Sequence, residues 1–166
     1  MNCPSCGAPM QLKPGSDAFK CEFCQSVYLP GKDDDGVRVL GEPSGQACPL
    51  CSVPLVEAAL AKVRILYCTA CRGMLVPMQV FEGLVDELRA TQGGKTVQTA
   101  PDSDDLRRKI DCPQCHRRMD THLYGGPGNV VIDSCEECSL IWLDRGELMH
   151  IVHAPDDRIP EGAELV

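Results

Sequence analysis

Two stretches of the chain carry apolar residues at the spacing of an α-helix. In the first, Val80, Phe81, Leu84, Val85 and Leu88 form one stripe, which predicts a helix that begins at Pro77 and ends at Gly93 and Gly94. The second is predicted to begin with Asp144 as its cap, to place Glu147 at the third position, and to end near His153, before Pro155.

Elsewhere the pattern predicts short strands joined by turns. Turn-forming residues at 13–16 and 125–129 each separate two short segments, and Val130, Val131 and Ile132 lead back as a strand. Residues 55–62 have helical propensity and no glycine. We nevertheless expect a hairpin there, turning at Ala61 and Lys62, because metal ligation at both ends overrides local propensity.

Cysteine is the residue that changes this picture most. The 166 residues include 12 cysteines, while aromatic residues make up only 4% of the chain. A chain with so little large apolar surface needs another source of stability. The cysteines form six C-x2-C pairs: Cys3/Cys6, Cys21/Cys24, Cys48/Cys51, Cys68/Cys71, Cys112/Cys115 and Cys135/Cys138.

The pairs are grouped in twos. Intervals of 14, 16 and 19 residues separate the members of each couple, and longer intervals of 23 and 40 residues separate the couples. Two C-x2-C turns that meet across a hairpin place four thiolates around one divalent ion. We therefore predict three Zn²⁺ ions, one per four-cysteine site. Iron in the same geometry and redox-active dithiols are the alternatives.

Other positions repeat in register with the cysteines. Tyr28, Leu75 and Trp142 each lie four residues after the last cysteine of a couple. Such repetition is typical of a chain that uses one structural unit three times. We expect Trp142 to lie in a small core rather than to serve as an interaction hot spot, whereas the stripe after Pro77 packs against another ribbon or a partner protein.

The predicted fold is therefore small, β-rich and stapled by metal, with three tandem zinc ribbons, the second and third each followed by a short α-helix. The predicted organisation is ribbon 1 at 1–30, a linker at 31–47, ribbon 2 with its helix at 48–92, a linker at 93–111, ribbon 3 with its helix at 112–154, and an acidic tail at 155–166. Without metal each ribbon should unfold, and replacing Cys135 with serine is expected to collapse ribbon 3.

Residues 112–150 resemble the bacterial zinc-ribbon family named after transcription factor IIB. Members tend to read C-P-x-C, a hairpin, and then C-x-x-C-G-G-I-W-L-D-R-G-E-L. Residues 135–148 keep everything after the two glycines, which are replaced by Ser139 and Leu140. The segment 48–89 looks like a divergent second copy, and 3–30 resembles a generic ribbon. The resemblance implies a zinc-binding fold rather than a particular role.

The charge of the chain narrows the class of partner. Sixteen Lys and Arg against 24 Asp and Glu give a formal net charge of −8. An acidic chain is a poor match for phosphate backbones and suits a basic partner, such as a protein associated with nucleic acid. The N-terminus lacks the features of a secretory signal and no apolar run reaches membrane-spanning length, so we expect a cytoplasmic protein with no membrane role.

These features together favour a non-catalytic adaptor that binds protein. Every metal site is closed by four thiolates, and no catalytic motif or small-molecule substrate site is evident. Glu147, His150 and His153 share one helix face, but we expect solvated residues there rather than another metal site. Two alternatives stay open. One is direct nucleic-acid binding through Arg107, Arg108 and Lys109 or through Arg117 and Arg118. The other is a redox sensor that releases zinc reversibly under mild peroxide.

Overall fold

The computed structural model describes residues 1–92, 103–124 and 130–154. Its strands form two antiparallel sheets, one of three strands (β1 to β3) and one of seven in the order β4-β5-β6-β7-β10-β9-β8. The elements in chain order are β1 (Met10–Leu12), β2 (Phe19–Cys21), β3 (Val27–Tyr28), β4 (Arg38–Ala47), β5 (Pro54–Leu60), β6 (Val63–Tyr67), β7 (Met74–Pro77), α1 (Met78–Gln92), α2 (Ser103–Arg107), β8 (Asp120–Leu123), β9 (Val131–Cys135), β10 (Leu140–Leu143) and α3 (Glu147–His153).

Ribbon 1 forms the three-stranded sheet. Its predicted turn closes with the Ser16 N–H donating to the Lys13 carbonyl at 3.1 Å, and Gly15 takes the left-handed conformation there, at φ 70°. Met10 and Phe19 are buried in a small cluster that also includes Leu40 and Ala59 of the larger sheet. Ribbon 1 therefore packs on the seven-stranded sheet through a small core that the two share.

Ribbons 2 and 3 are fused into the seven-stranded sheet. Their third strands, β7 and β10, pair antiparallel, and Leu75 lies directly opposite Trp142. These two residues occupy the same place in the repeat, so the two ribbons meet through equivalent strands. Neither strand is left at a sheet edge, and the ribbons share one body rather than being joined only by linkers.

The helices α1 and α3 close one core with this sheet. The α1 residues Phe81, Leu84, Val85 and Leu88 are buried in the same cluster as Ile141 and Leu143 of ribbon 3 and Ile151 of α3. The guanidinium of Arg89 also donates to the Ile151 carbonyl at 2.8 Å. Of the two packing partners considered for the helical stripe, the structure shows another ribbon, except that Val80, predicted as part of the stripe, is exposed.

The segment predicted as a linker at 31–47 contains strand β4, which pairs with β5. Its polar, glycine-rich composition is typical of a loop, but β5 would otherwise be left as an edge with unpaired backbone groups. Gly41 and Gly45, at φ 80° and 78°, lie where the register of the pair shifts. In the second predicted linker, α2 occupies residues 103–107.

The remaining turn predictions have mixed outcomes. The turn at Ala61 and Lys62 is confirmed, with φ values of 45° and 68° that suit a tight two-residue hairpin. Helix α1 begins at Met78, because Pro77 is still the last residue of β7. The helix end at Gly93 and Gly94, the turn at 125–129 and the acidic tail from 155 lie outside the described residues.

The close approach of Trp142 to Gly73 gives a first prediction. A β-carbon at Gly73 would lie 2.3 Å from Cζ2 of the fully buried Trp142 ring. Gly73→Ala should therefore lower the free energy of unfolding by about 1–3 kcal/mol, since the packed ring must shift. Denaturant unfolding in saturating zinc, followed by the fluorescence of this single tryptophan, measures the loss.

Gly83→Ala is the matched control. Gly83 lies in α1 with nothing within 4 Å of its added β-carbon, so alanine should stabilise the helix by about 0.5–1 kcal/mol. If both substitutions change the free energy of unfolding equally, the packing of the Trp142 ring does not require a glycine at position 73.

Candidate metal centres

Every C-x2-C pair closes the same tight backbone turn. In five of the six turns the N–H of the first cysteine donates to the carbonyl five residues later, at 2.8–2.9 Å. The donor and acceptor pairs are Cys3 and Ala8, Cys21 and Ser26, Cys48 and Val53, Cys68 and Gly73, and Cys112 and Arg117. This turn points both sulfurs of a pair to the same side.

The residue after the second cysteine of each pair adopts the left-handed conformation. These residues are Gly7, Gln25, Ser52, Arg72, His116 and Ser139, with φ between 54° and 75°. A non-glycine residue pays roughly 1–2 kcal/mol for this conformation. That cost explains the family's glycine after the last cysteine. Ser139 replaces that glycine and still takes the required φ of 54°.

The turns of each ribbon bring four sulfurs together. Within each set of four, all sulfur atoms lie within 4.8 Å of one another. Sulfur pairs contributed by different turns are separated by 3.6 Å for Cys3 and Cys24, 3.3 Å for Cys51 and Cys68, and 3.7 Å for Cys115 and Cys135. A zinc tetrahedron with Zn–S bonds of ~2.3 Å has edges of ~3.8 Å, whereas a disulfide is ~2.05 Å long. The sites therefore fit zinc, and none of the cysteines is in a disulfide.

The cysteines of a site differ in their access to solvent. In every ribbon the first cysteine of each pair is buried, and the second is more exposed. Ribbon 1 is the most open, because both Cys6 and Cys24 are exposed, whereas Cys115 and Cys138 in ribbon 3 are half-buried. A zinc ion held in ribbon 1 would therefore be less shielded from oxidants and chelators than one in ribbon 2 or 3.

Local groups also act on the thiols. A hydrogen bond with the Ser26 hydroxyl, at 3.1 Å, lowers the pKa of Cys3 to about 6. Burial instead raises the pKa of Cys48. A divalent cation offsets the mutual repulsion of four thiolates and the cost of burying them, and it cross-links both turns of a ribbon.

Other residues considered as candidates have different surroundings. Among the described residues, the sets of three or more ligand groups within 4.8 Å are the three cysteine sites, so Glu147, His150 and His153 do not form a further one. Trp142 is fully buried and donates from Nε1 to an Asp144 carboxylate oxygen at 2.9 Å. Its predicted role in the core is confirmed.

A buried ion-pair network that the sequence pattern does not predict lies beside ribbon 3. Arg108, which follows α2, contacts Asp133 at 2.9 Å and also pairs with Asp144. Asp133 is 1% exposed and accepts a second hydrogen bond from the Thr121 hydroxyl at 2.5 Å. The available signal was a carboxylate directly after the apolar residues Val130, Val131 and Ile132. Such a residue lies in a buried strand and needs a cationic partner.

This network explains why α3 begins later than predicted. The Asp144 carboxylate binds Arg108 and Trp142, so it does not cap the helix. The helix begins at Glu147. The residue before it, Gly146, has a φ of 87° and no side chain that could cap the helix. Half of the predicted capping box remains, because the Asp144 N–H donates to the Glu147 carboxylate at 2.6 Å. The predicted end at His153 is confirmed.

The fold and the three sites define a tandem zinc-ribbon protein with two of its ribbons joined in one sheet. The chain belongs to the transcription factor zinc-finger family, whose model matches residues 47–87 and 111–154, together just over half of the chain. The two matched regions are ribbons 2 and 3. Comparisons with curated proteins and with solved structures found no match. In the described parts of the chain no helix is long and apolar enough to span a membrane.

Proposed function

We propose that the protein is a non-catalytic, zinc-dependent adaptor that binds a basic protein partner. The observation that carries this proposal is that the arginines of the chain's basic clusters form ion pairs with its own carboxylates. In both candidate phosphate-binding clusters the arginines are held in this way, while acidic side chains are exposed on the surface.

The first basic cluster is held by carboxylates. Arg107 pairs with Asp104 at 3.2 Å, and Arg108 binds the buried Asp133 as well as the partly exposed Asp144. A guanidinium that faces inward toward two carboxylates has no freedom to contact a phosphate. Lys109 is the remaining cation of this cluster.

The second basic cluster lies on the first turn of ribbon 3. Arg117 pairs with Glu137 at 2.6 Å, and Arg118 pairs with Asp111 at 3.1 Å. Since these pairs neutralise the local positive charge, the surface offers little to a nucleic-acid backbone, whose binding depends on clustered cations.

The outer face of α1 offers the opposite charge. The side chains of Glu82, Asp86 and Glu87 are exposed there, opposite the stripe that packs in the core, and the Glu87 carboxylate lies 4.0 Å from the Lys62 ammonium. A rigid helix that rests on a zinc-stapled sheet presents these carboxylates in a fixed arrangement, which suits a surface rich in lysine and arginine. The closed four-thiolate sites give the protein a structural rather than a catalytic use of zinc.

Native mass spectrometry of the nuclease-treated complex from source cells tests this function. We expect three zinc ions and a stoichiometric basic protein that dissociates as salt is raised. The double variant Glu82→Lys/Asp86→Lys should lose this protein. Glu22→Lys/Glu57→Lys, which changes the net charge equally at exposed sites off α1, should retain it.

Nucleic acid is the alternative that the family description favours. Binding of purified protein to DNA or RNA that weakens steeply with salt, without any protein partner, would overturn the adaptor proposal. Reversible zinc release under mild peroxide, again without a partner, would favour the redox sensor.

A further inference from the structure

The third strand of each ribbon has the same position in the repeat but a different neighbour. In ribbons 2 and 3 these strands are β7 and β10, and they pair with each other. In ribbon 1 the equivalent strand is β3, which pairs with β2 on one side and forms the edge of its sheet on the other. Ribbon 1 thus contains the strand that is equivalent to β7 and β10. Among the described residues, one side of this strand has no partner strand.

The side chains on and beside β3 are apolar and open to solvent. Val27 is 66% exposed, Leu29 is 52% exposed, and Phe23 in the neighbouring cysteine turn is 85% exposed. The residues that match Tyr28 in the repeat, Leu75 and Trp142, are 2% and 0% exposed. Ribbon 1 therefore leaves in water a surface that the other two ribbons bury against each other.

This edge also lacks the charges that keep exposed strands apart. Edge strands of soluble proteins are commonly protected by charged residues or by proline; residues 25–29 contain neither, and Pro30 marks the end of the unprotected edge. Within 1–30, Lys13 and Lys20 balance Asp17 and Glu22, in a chain whose formal net charge is −8. With its side chains balanced, zinc-loaded ribbon 1 carries only the charge of about −2 that four thiolates around one Zn²⁺ leave on every ribbon, so two acidic copies meet there with little local repulsion.

We propose that ribbon 1 joins two copies of this chain by antiparallel pairing of β3 with β3. The register of β7 and β10 gives the expected arrangement. Leu75 faces Trp142 and Val76 faces Ile141, so Tyr28 of one copy should face Tyr28 of the other, and Val27 should face Leu29. Aromatic and β-branched residues that face each other across strands stabilise such pairs.

A second copy fits this edge better than a basic protein does, because the side chains of residues 25–30 are uncharged and mostly apolar and offer no carboxylate to a lysine or arginine. The pairing is also the one that the repeat already uses within the chain. A few residues per strand bury much less surface than the ~1,600 Å² of a standard interface, so the dimer should be weak and should form in the micromolar range or above.

Sedimentation equilibrium of the purified, zinc-loaded full chain from about 1 to 500 μM tests the proposal. We expect a reversible monomer–dimer equilibrium, and we expect Val27→Lys to weaken it at least about tenfold. Leu123→Lys is the matched control, because Leu123 is 43% exposed on β8, the edge strand of the larger sheet. The control should dimerise like the unchanged protein.

Hydrogen exchange gives an independent readout. Amide protection at residues 27–29 should rise with protein concentration, while protection of the seven-stranded sheet stays constant. Zinc content of both variants reports on folding. A protein that stays monomeric up to 500 μM, or a dimer that Leu123→Lys weakens and Val27→Lys does not, would overturn the proposal. Because only purified protein is used, neither result bears on the adaptor function.

Discussion

Replacing Cys135 with serine should unfold ribbons 2 and 3 together and leave zinc bound in ribbon 1. Sequence spacing alone predicts damage limited to ribbon 3. The structure predicts that ribbon 2 unfolds as well. Its Cys48 and Cys68 belong to one buried cluster with Cys135, and this cluster also contains Leu75 and Trp142. The two zinc sites therefore share a core, and the strands that carry them share a sheet.

The size of the effect follows from the energies involved. A structural zinc site contributes roughly 10–16 kcal/mol to folding, which is comparable to the whole stability of a typical domain at about 5–15 kcal/mol. A serine in place of one thiolate leaves three ligands around the ion, and most of that contribution is lost. Ribbon 2 would then have to expose β7 and the apolar stripe of α1.

Zinc content and hydrogen exchange together measure this result. Cys135→Ser should lower the zinc content by two ions and remove amide protection from β5, β6 and β7 as well as from β8, β9 and β10. Cys24→Ser is the control in ribbon 1, where loss of one zinc should leave the larger sheet protected. Loss of protection confined to β8, β9 and β10 would show that the ribbons fold independently.

The cysteine sites could be predicted from the sequence because their determinants are local. A C-x2-C turn is set within six residues, and the hairpin between two such turns is short enough for spacing to reveal the pairing. The turn at Ala61 and Lys62 illustrates this. Metal ligation at both ends of the unit leaves room for two strands, and the two-residue turn follows despite the helical propensity of the segment.

The joining of ribbons 2 and 3 could not be predicted in the same way. The pairing of β7 with β10 links residues more than sixty positions apart, and the periodicity of either strand says nothing about its neighbour. One signal was present. Met74, Leu75 and Val76, like Leu140 to Leu143, form continuous apolar runs, which are typical of strands buried on both faces. Strand β4 gave the opposite signal, because its glycines and polar residues resemble a linker.

The fusion changes the significance of the family motif. In the segment 142–144, tryptophan fills the junction with ribbon 2 beside Gly73, and Asp144 binds both that tryptophan and Arg108. These residues therefore hold two ribbons and the preceding segment together, rather than completing the zinc site of a single ribbon. The role of Arg108 could not be predicted from the sequence, because this residue lies in a segment that resembles a linker.

Arg108→Met should lower the free energy of unfolding by about 3–5 kcal/mol, because it leaves Asp133 buried without its cation. Arg107→Met is the matched control. Arg107 is largely exposed and pairs with the exposed Asp104, so its loss should cost no more than about 0.5 kcal/mol. Denaturant unfolding of the zinc-loaded protein compares the two variants. Equal effects would show that the buried pair contributes no more than a surface pair.

A second substitution separates the charge of Asp133 from the packing of Arg108. Adding Asp133→Asn to Arg108→Met removes the uncompensated carboxylate and keeps an oxygen that can accept the Thr121 hydroxyl. The double variant should therefore regain a large part of the lost stability, although Asp144 still lacks its cation. If stability falls further instead, the aliphatic part of Arg108 and its contacts hold the segment after α2 in place, and the ion pair serves mainly to fix its position.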